Sequence, residues 1–183
     1  MKKQARKRII HNMVVLLETY PMDDITIKMI CAYSDINRST FYAYFEDKYE
    51  LVNTIKNIHL DRYRKLMRFV YFNFDIFRNN PDKVTQLYRI VFKYLKRYQT
   101  FFKAIIVTHP NEALIRSYMK LSHRGYHKIL SDLTNIKHVD YQVQFNLGGQ
   151  MAIIYTWLKN DTKESPEEMA QLLYQRLTTR KPN

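Results

Sequence analysis

Turn-formers are scarce in this chain, with three glycines and five prolines in 183 residues. Ordinary usage of the two together is about 12 %. So few cannot punctuate the many short strands of a sandwich or barrel, and collagen-like and glycine-rich disordered classes fall away as well. A single cysteine, Cys31, excludes an internal disulfide and a cysteine-rich zinc module. It fits a reducing, cytoplasmic location. No hydrophobic run suits a bilayer, because the longest uncharged stretch, 141–158, carries Gln142, Gln144, Asn146 and Gln150. The basic start, 1–8, runs into an apolar segment broken by His11 and Asn12 and lacks a small-residue cleavage site, so it reads poorly as a signal peptide. A soluble protein is expected. There is no glycine-rich phosphate loop and no nucleophile–base arrangement, so an enzyme has no residues to carry it and no cofactor is called for. His123 and His127 stand one helical turn apart, but no third ligand accompanies them there.

What the chain does have is aromatic and basic. Fifteen tyrosines and ten phenylalanines are core-forming material and argue against a mostly disordered chain. The net charge of +13 suits a polyanionic partner, but it is unevenly placed. Residues 1–60 carry nine basic and seven acidic side chains, whereas 61–183 carry 21 and ten.

Helical periodicity runs throughout. Ile9, Met13, Leu16 and Tyr20 form the apolar stripe of a helix over about 3–20, closed by Pro21. Thr26 and Asn37 are positioned to cap short helices at 27–33 and about 38–44. Asp47 and Glu50 have the capping-box spacing and open a long helix to about 72. Asn80-Pro81 starts a helix to about 98, and a further stretch, 99–108, halts at His109-Pro110. Asn111 opens the next, to about 133, and 140–159 and 166–179 complete the chain. The expected fold is all-α, about nine helices in a small N-terminal group and a larger C-terminal one.

Two short helices joined by a tight turn over 26–45 have the helix-turn-helix layout. Phe41 and Phe45, four apart, are the anchors into a small core. The opposite face carries Ser39 and Ala43, flanked by Thr40 and Tyr42, short and uncharged as a helix entering a major groove should be. Arg38 lies at the N-terminal end, where a guanidinium reaches guanine or a phosphate. The run Ser39-Thr40-Phe41-Tyr42-Ala43-Tyr44-Phe45, followed by Lys48 and Leu51, strongly resembles the N-terminal domain of TetR-family transcriptional regulators. Gly148-Gly149 through Trp157-Leu158, with Ser165-Pro166-Glu167-Glu168-Met169-Ala170, is similar to the last two helices of one TetR effector-domain subgroup. Asp35 stands where the family usually has Gly, Ser34 where it usually has Ala, and Cys31 where a small Ala is usual. Asp tolerates the left-handed conformation, so the turn is expected to survive with some strain.

The resemblance implies a DNA-binding domain over 1–47 and an effector-binding and dimerisation domain over 48–183. It implies a homodimeric, ligand-responsive regulator, a repressor by the commoner family mode, that binds a palindromic operator in duplex DNA. Matched position by position, Thr26, Thr40, Tyr42, Tyr44 and Lys48 would hold phosphates, while Arg38, Ser39 and Ala43 would face base edges. Lys2, Lys3, Arg6, Lys7 and Arg8 are candidates for backbone contact or a solvated tail. The charge-free 141–158 helix needs cover on most sides, which a symmetry mate supplies. Gly148, Gly149 and Ala152 would allow close approach there, with Met169, Leu172, Leu173 and Leu177 as the matching stripe. An effector pocket is expected among helices 48–133, with Tyr63, Met67, Phe92, Phe102 and Tyr126 as its candidate lining. Residues 61–105 carry eleven basic and three acidic side chains. Any of Arg62, Arg89 or Arg116 turned inward would need an anionic partner, which slightly favours an anionic or acyl-type effector over a cationic one. The alternative is an architectural, sequence-tolerant nucleic-acid-binding protein with no effector, against which the size of the C-terminal domain argues.

Overall fold

The computed structural model describes residues 2–178. Among the described residues the chain forms ten α-helices, one π-helical turn and no strand: α1 Lys2–Thr19, α2 Ile27–Ser34, α3 Arg38–Tyr42, α4 Lys48–Phe72, α5 Phe74–Arg78, α6 Pro81–Arg97, α7 Gln99–Lys103, the π turn Ala104–Thr108, α8 Glu112–Leu133, α9 Val139–Lys159 and α10 Pro166–Thr178. The all-α expectation holds. Two elements differ from the sequence reading. The five-residue α5 was not expected, and the single stretch expected at 99–108 is a short α-helix running into a π turn.

The caps show why the helices begin where they do. Thr26 Oγ1 accepts from Met29 N at 3.2 Å, Asn80 Oδ1 from Lys83 N at 3.2 Å, and Asn111 Oδ1 from Leu114 N at 3.0 Å. Ser165 and Glu168 form a reciprocal box: Ser165 Oγ accepts from Glu168 N at 3.2 Å, and the Glu168 carboxylate accepts from Ser165 N at 2.7 Å. The Ser165 hydroxyl and then the Ser165 N–H, both donating to the carboxylate, hold the Glu168 carboxyl below its ordinary pKa. At Asp47 the box is offset: Asp47 Oδ1 accepts from Glu50 N, while the Glu50 carboxylate takes the N–H of Glu46.

Packing groups the described residues into two units. The first comprises the residues up to Arg62 with Thr100–Ile115, and the second Tyr63–Gln99 with the residues from Arg116 on. This grouping is a different cut from the functional one at 47, which falls just before α4. Helices α4 and α8 each contribute to both units.

In unit 1, Ile9, Met13 and Leu16 of α1 bury with Ile25, Ile30, Phe41, Phe45, Leu51 and Ile55, and α1 also packs on the π turn. The Cys31 thiol sits in this interior, raised in pKa by burial, a small hydrophobe rather than a reactive thiol. His59 is buried face to face on Phe101 at 4.6 Å and edge-on to Phe102 at 5.3 Å. Burial, aided by the positive charge of Arg62, lowers its pKa to about 4. Unit 2 is built on α6 against α10, with Phe92 edge-on to Trp157 at 5.1 Å and Leu95, Val143, Leu147, Leu158, Met169 and Leu173 buried.

Candidate functional site

The site begins with the turn between α2 and α3. Asp35 has φ 50° and ψ 58°, and the N–H groups of Ile36 and Asp35 close on the carbonyls of Cys31 and Ala32 at 3.1 and 3.2 Å. That is the double closure of a left-handed helix terminus. Asp35 therefore does what a glycine would do there, and a second residue steadies it. Arg8 Nη2 donates to the Asp35 carbonyl at 3.4 Å while Arg8 Nη1 lies 3.7 Å from its carboxylate. Beneath the turn, Asn12 Nδ2 donates to buried Ser34 Oγ at 3.4 Å.

α3 presents one face outward. Phe41 and Phe45 are buried with their rings 5.9 Å apart, while Arg38, Ser39, Tyr42 and Ala43 are exposed. The helix ends at Tyr42 rather than 44, and Ala43 and Tyr44 form its closing turn. Asn37 organises this surface. Its Oδ1 accepts from Thr40 N at 2.9 Å, Thr40 Oγ1 at 2.7 Å and Ser39 Oγ at 2.8 Å. Ser39 thus offers only lone pairs outward, and Thr40 has committed both its hydroxyl and amide protons. Arg38 Nη2 donates to Tyr42 Oη at 3.5 Å, which leaves the Tyr42 proton for an acceptor such as a phosphate oxygen. Thr26, exposed at the cap of α2, also keeps its hydroxyl proton, since it accepts from Met29 N.

Lys48 sits differently from its expected phosphate role. Its ammonium donates to the carbonyls of Met22, Asp23 and Ile25 at 2.9, 2.9 and 2.8 Å. All three protons are used, and they fasten the start of α4 to the turn before α2. In the basic N-terminal cluster, Arg8 holds Asp35 and Arg6 lies over the Phe45 ring at 5.4 Å, while Lys7 is exposed. The side chains of Lys2 and Lys3 lie outside the described residues. Sequence reading recognised Asn37 only as a cap. The hydroxyls two and three positions on were the signal that it gathers more.

The expected dimer residues separate into two groups. Gly148, Gly149 and Ala152 are exposed, and nothing lies within 4 Å of a Cβ built on either glycine. The same face of α9 exposes Tyr141, Phe145 and Tyr155. On α10, Leu172 is exposed, but Met169 and Leu173 are buried inside unit 2. The Leu177 side chain lies outside the described residues.

The expected pocket residues do not form one group. Phe102 belongs to unit 1, against His59. Phe92 is fully buried on Trp157, as core. Tyr63, Met67 and Tyr126 are together in unit 2: Tyr63 and Tyr126 enter a hydrogen-bond network, and Met67 packs at Gly125. Arg62 and Arg116 are exposed and Arg89 is half-buried, so none is sunk in a way that demands an anionic partner. No group of three metal-ligating side chains occurs among the described residues. Nor is any described helix long and apolar enough to cross a membrane.

A helix-turn-helix built this way, on an all-helical chain, defines a DNA-binding transcriptional regulator. Residues 82–179 match the family model TetR_C_8, the C-terminal region of transcriptional regulators. The chain belongs to the TetR family.

Solved structures share its fold at low identity. A Syntrophomonas wolfei protein assigned to the TetR-family regulators superposes with TM-score 0.71 at 17 % identity, over 98 % of this chain and 95 % of that one. The fatty acid degradation regulator FadR of Bacillus halodurans gives 0.70 at 15 %, over 97 % of each chain. The transcriptional regulator FadR of Bacillus subtilis, in complex with stearoyl-CoA, gives 0.69 at 14 %, over 96 % of this chain and 99 % of that one. No curated protein matches the chain.

Proposed function

We propose that this chain is a homodimeric, ligand-responsive repressor that reads a palindromic operator, with 1–47 as its DNA-binding domain and 48–183 for effector binding and dimerisation. The observation that carries the reading is the outward face of α3, four exposed residues over two buried phenylalanines. Arg38, Ser39 and Ala43 face base edges. Thr26, Tyr42 and Tyr44 reach phosphates, and Asn37, Thr40 and Lys48 hold that surface in shape. Two copies join through the outer face of α9 along its uncharged stretch, 141–158, at Gly148, Gly149 and Ala152, with Leu172 of α10 beside it.

Dyad-related heads then set half-sites about one helical turn apart or slightly more. An effector that binds one arrangement of α4 better than another shifts the spacing of the heads by its differential affinity alone. The stearoyl-CoA bound by the Bacillus subtilis neighbour supports a small-molecule effector. The protein would work where its DNA is, in the cytoplasm.

The test is footprinting on the DNA upstream of the protein's own coding region. Protection of one inverted repeat supports the reading. Uniform coating at all sequences supports the architectural alternative and overturns it.

A further inference from the structure

Four helices of unit 2 bring uncharged polar side chains together: Tyr63 from α4, Tyr88 from α6, Ser122 and Tyr126 from α8, and Gln150 from α9. Ser122 donates to Tyr63 Oη at 3.1 Å, and Tyr126 donates to Gln150 Oε1 at 2.9 Å. The Tyr88 phenol lies near enough to that of Tyr126 to help raise its pKa. Burial raises all three phenols above their ordinary pKa, so each keeps its proton.

The protons of this network can be followed. Tyr126 gives its proton to Gln150. Ser122 gives its proton to Tyr63. The Gln150 amide nitrogen is buried with no acceptor. Tyr63, near enough to both other tyrosines to raise their pKa, still holds its own proton. Gln150 and Tyr63 are thus left with protons to give, and a buried donor without an acceptor is costly.

We propose that this network is the recognition end of the effector site, and that it takes an uncharged acceptor on an otherwise apolar molecule: the carbonyl oxygen of a ketone, ester, thioester or amide. This rests on the effector reading above. Gln150 Nε2 and Tyr63 Oη donate to the carbonyl. No cation takes part in the network to balance a carboxylate, whose burial would be costly, and an ammonium would bring donors to donors. The apolar part of the ligand meets Met67, one turn beyond Tyr63. A Cβ at Gly125 would lie 2.6 Å from Met67 Cε, so the missing side chain there makes room for a flexible thioether that reshapes around a guest.

The experiment titrates the full chain by calorimetry at pH 7 with three probes of one chain length: 2-decanone, decanoate and decylammonium. The ketone is expected to bind more tightly than either ion. Gln150→Leu and Tyr63→Phe should each weaken the ketone about tenfold, the effect of losing one hydrogen bond of about 1.4 kcal/mol. Tyr63→Phe keeps the ring in place and serves if Gln150→Leu alters the fold. Preference for either ion, ketone binding that neither variant weakens, or no binding by any probe would overturn the proposal. A parallel DNA-release assay separates the two readings. Ketone binding through Gln150 without release fails the effector reading alone, whereas release by an ion alone fails this one.

Discussion

Replacing Lys48 with methionine keeps the aliphatic stem and removes the ammonium, and with it three hydrogen bonds to the carbonyls of Met22, Asp23 and Ile25 at 2.8 to 2.9 Å. A hydrogen bond to a charged group is worth about 1.5–3 kcal/mol, yet three of them do not sum here, because the ammonium is half-exposed and water can serve the freed carbonyls. The expected loss is about 1–3 kcal/mol. At roughly 2–4 °C per kcal/mol for a chain of this size, Tm should fall by about 2–12 °C. Lys48→Arg should recover only part of this, since a planar guanidinium cannot turn three donors to three converging carbonyls.

The same variant tests the phosphate role implied by the family pattern. A lysine that neutralises a phosphate contributes about one ion to the salt dependence of DNA binding. A lysine whose three protons are already taken contributes none. Melting followed by circular dichroism, with operator affinity measured from 50 to 200 mM salt well below Tm, separates the two. A lower Tm with an unchanged salt slope is expected. An unchanged Tm with a slope reduced by one ion would refute the structural role.

Asn37→Ala should cost about 1 kcal/mol of stability, the usual cost of a lost N-cap, and relax the α3 surface, read as weaker operator binding. Arg38→Ala should cost about 1–3 kcal/mol at one base position if its fork reads guanine; an unchanged preference across a panel of operator variants would remove it from the reading set. His59 is neutral when folded, with its pKa lowered to about 4, so its contribution is complete above about pH 6.5 and is lost as pH falls through 4, to a total of about 3 kcal/mol. Urea unfolding at pH 7 and pH 4.5 should show that decline, and His59→Phe should flatten it. Phe145→Arg with Ala152→Arg, both exposed, should give a folded monomer by ultracentrifugation; a surviving dimer would move the interface off α9.

Sequence reading reached furthest where one local rule decided the outcome. Thr26, Asn37, Asn80, Asn111 and Ser165 each carry a side-chain acceptor just before a helix, and each caps one. The Phe41–Phe45 spacing likewise marked which side of α3 is buried, because four residues return a side chain to the same face. α5 escaped because five residues with no side-chain cap leave no period to read. The chain also signals poorly which face of a buried helix meets its own unit and which is left over. Met169 and Leu173 have the spacing of an interface stripe, and the same spacing serves packing within the unit. Burial on α10 is decided by α6, a partner distant in sequence that no local pattern names.

Polar commitments are harder still to read from sequence, and they decide what each surface can do. Ser39, Thr40 and Lys48 look alike in sequence as groups available to DNA. The structure gives the protons of all three to acceptors within the chain, and leaves those of Tyr42 and Thr26. In unit 2 the result is reversed: Gln150, an unremarkable residue in the uncharged middle of α9, is left with a buried amide in search of an acceptor. A residue type fixes how many protons a side chain brings. The fold fixes how many remain to be given, and only those can be donated to a phosphate, a base or a ligand. The same test applies to both surfaces: Tyr42→Phe should weaken every operator equally, by about 0.5–1.5 kcal/mol for one lost neutral hydrogen bond, because it removes a proton directed at the backbone rather than at a base. A loss confined to one base position, measured across the same operator panel, would show that Tyr42 reads sequence and that the sorting by available protons is mistaken.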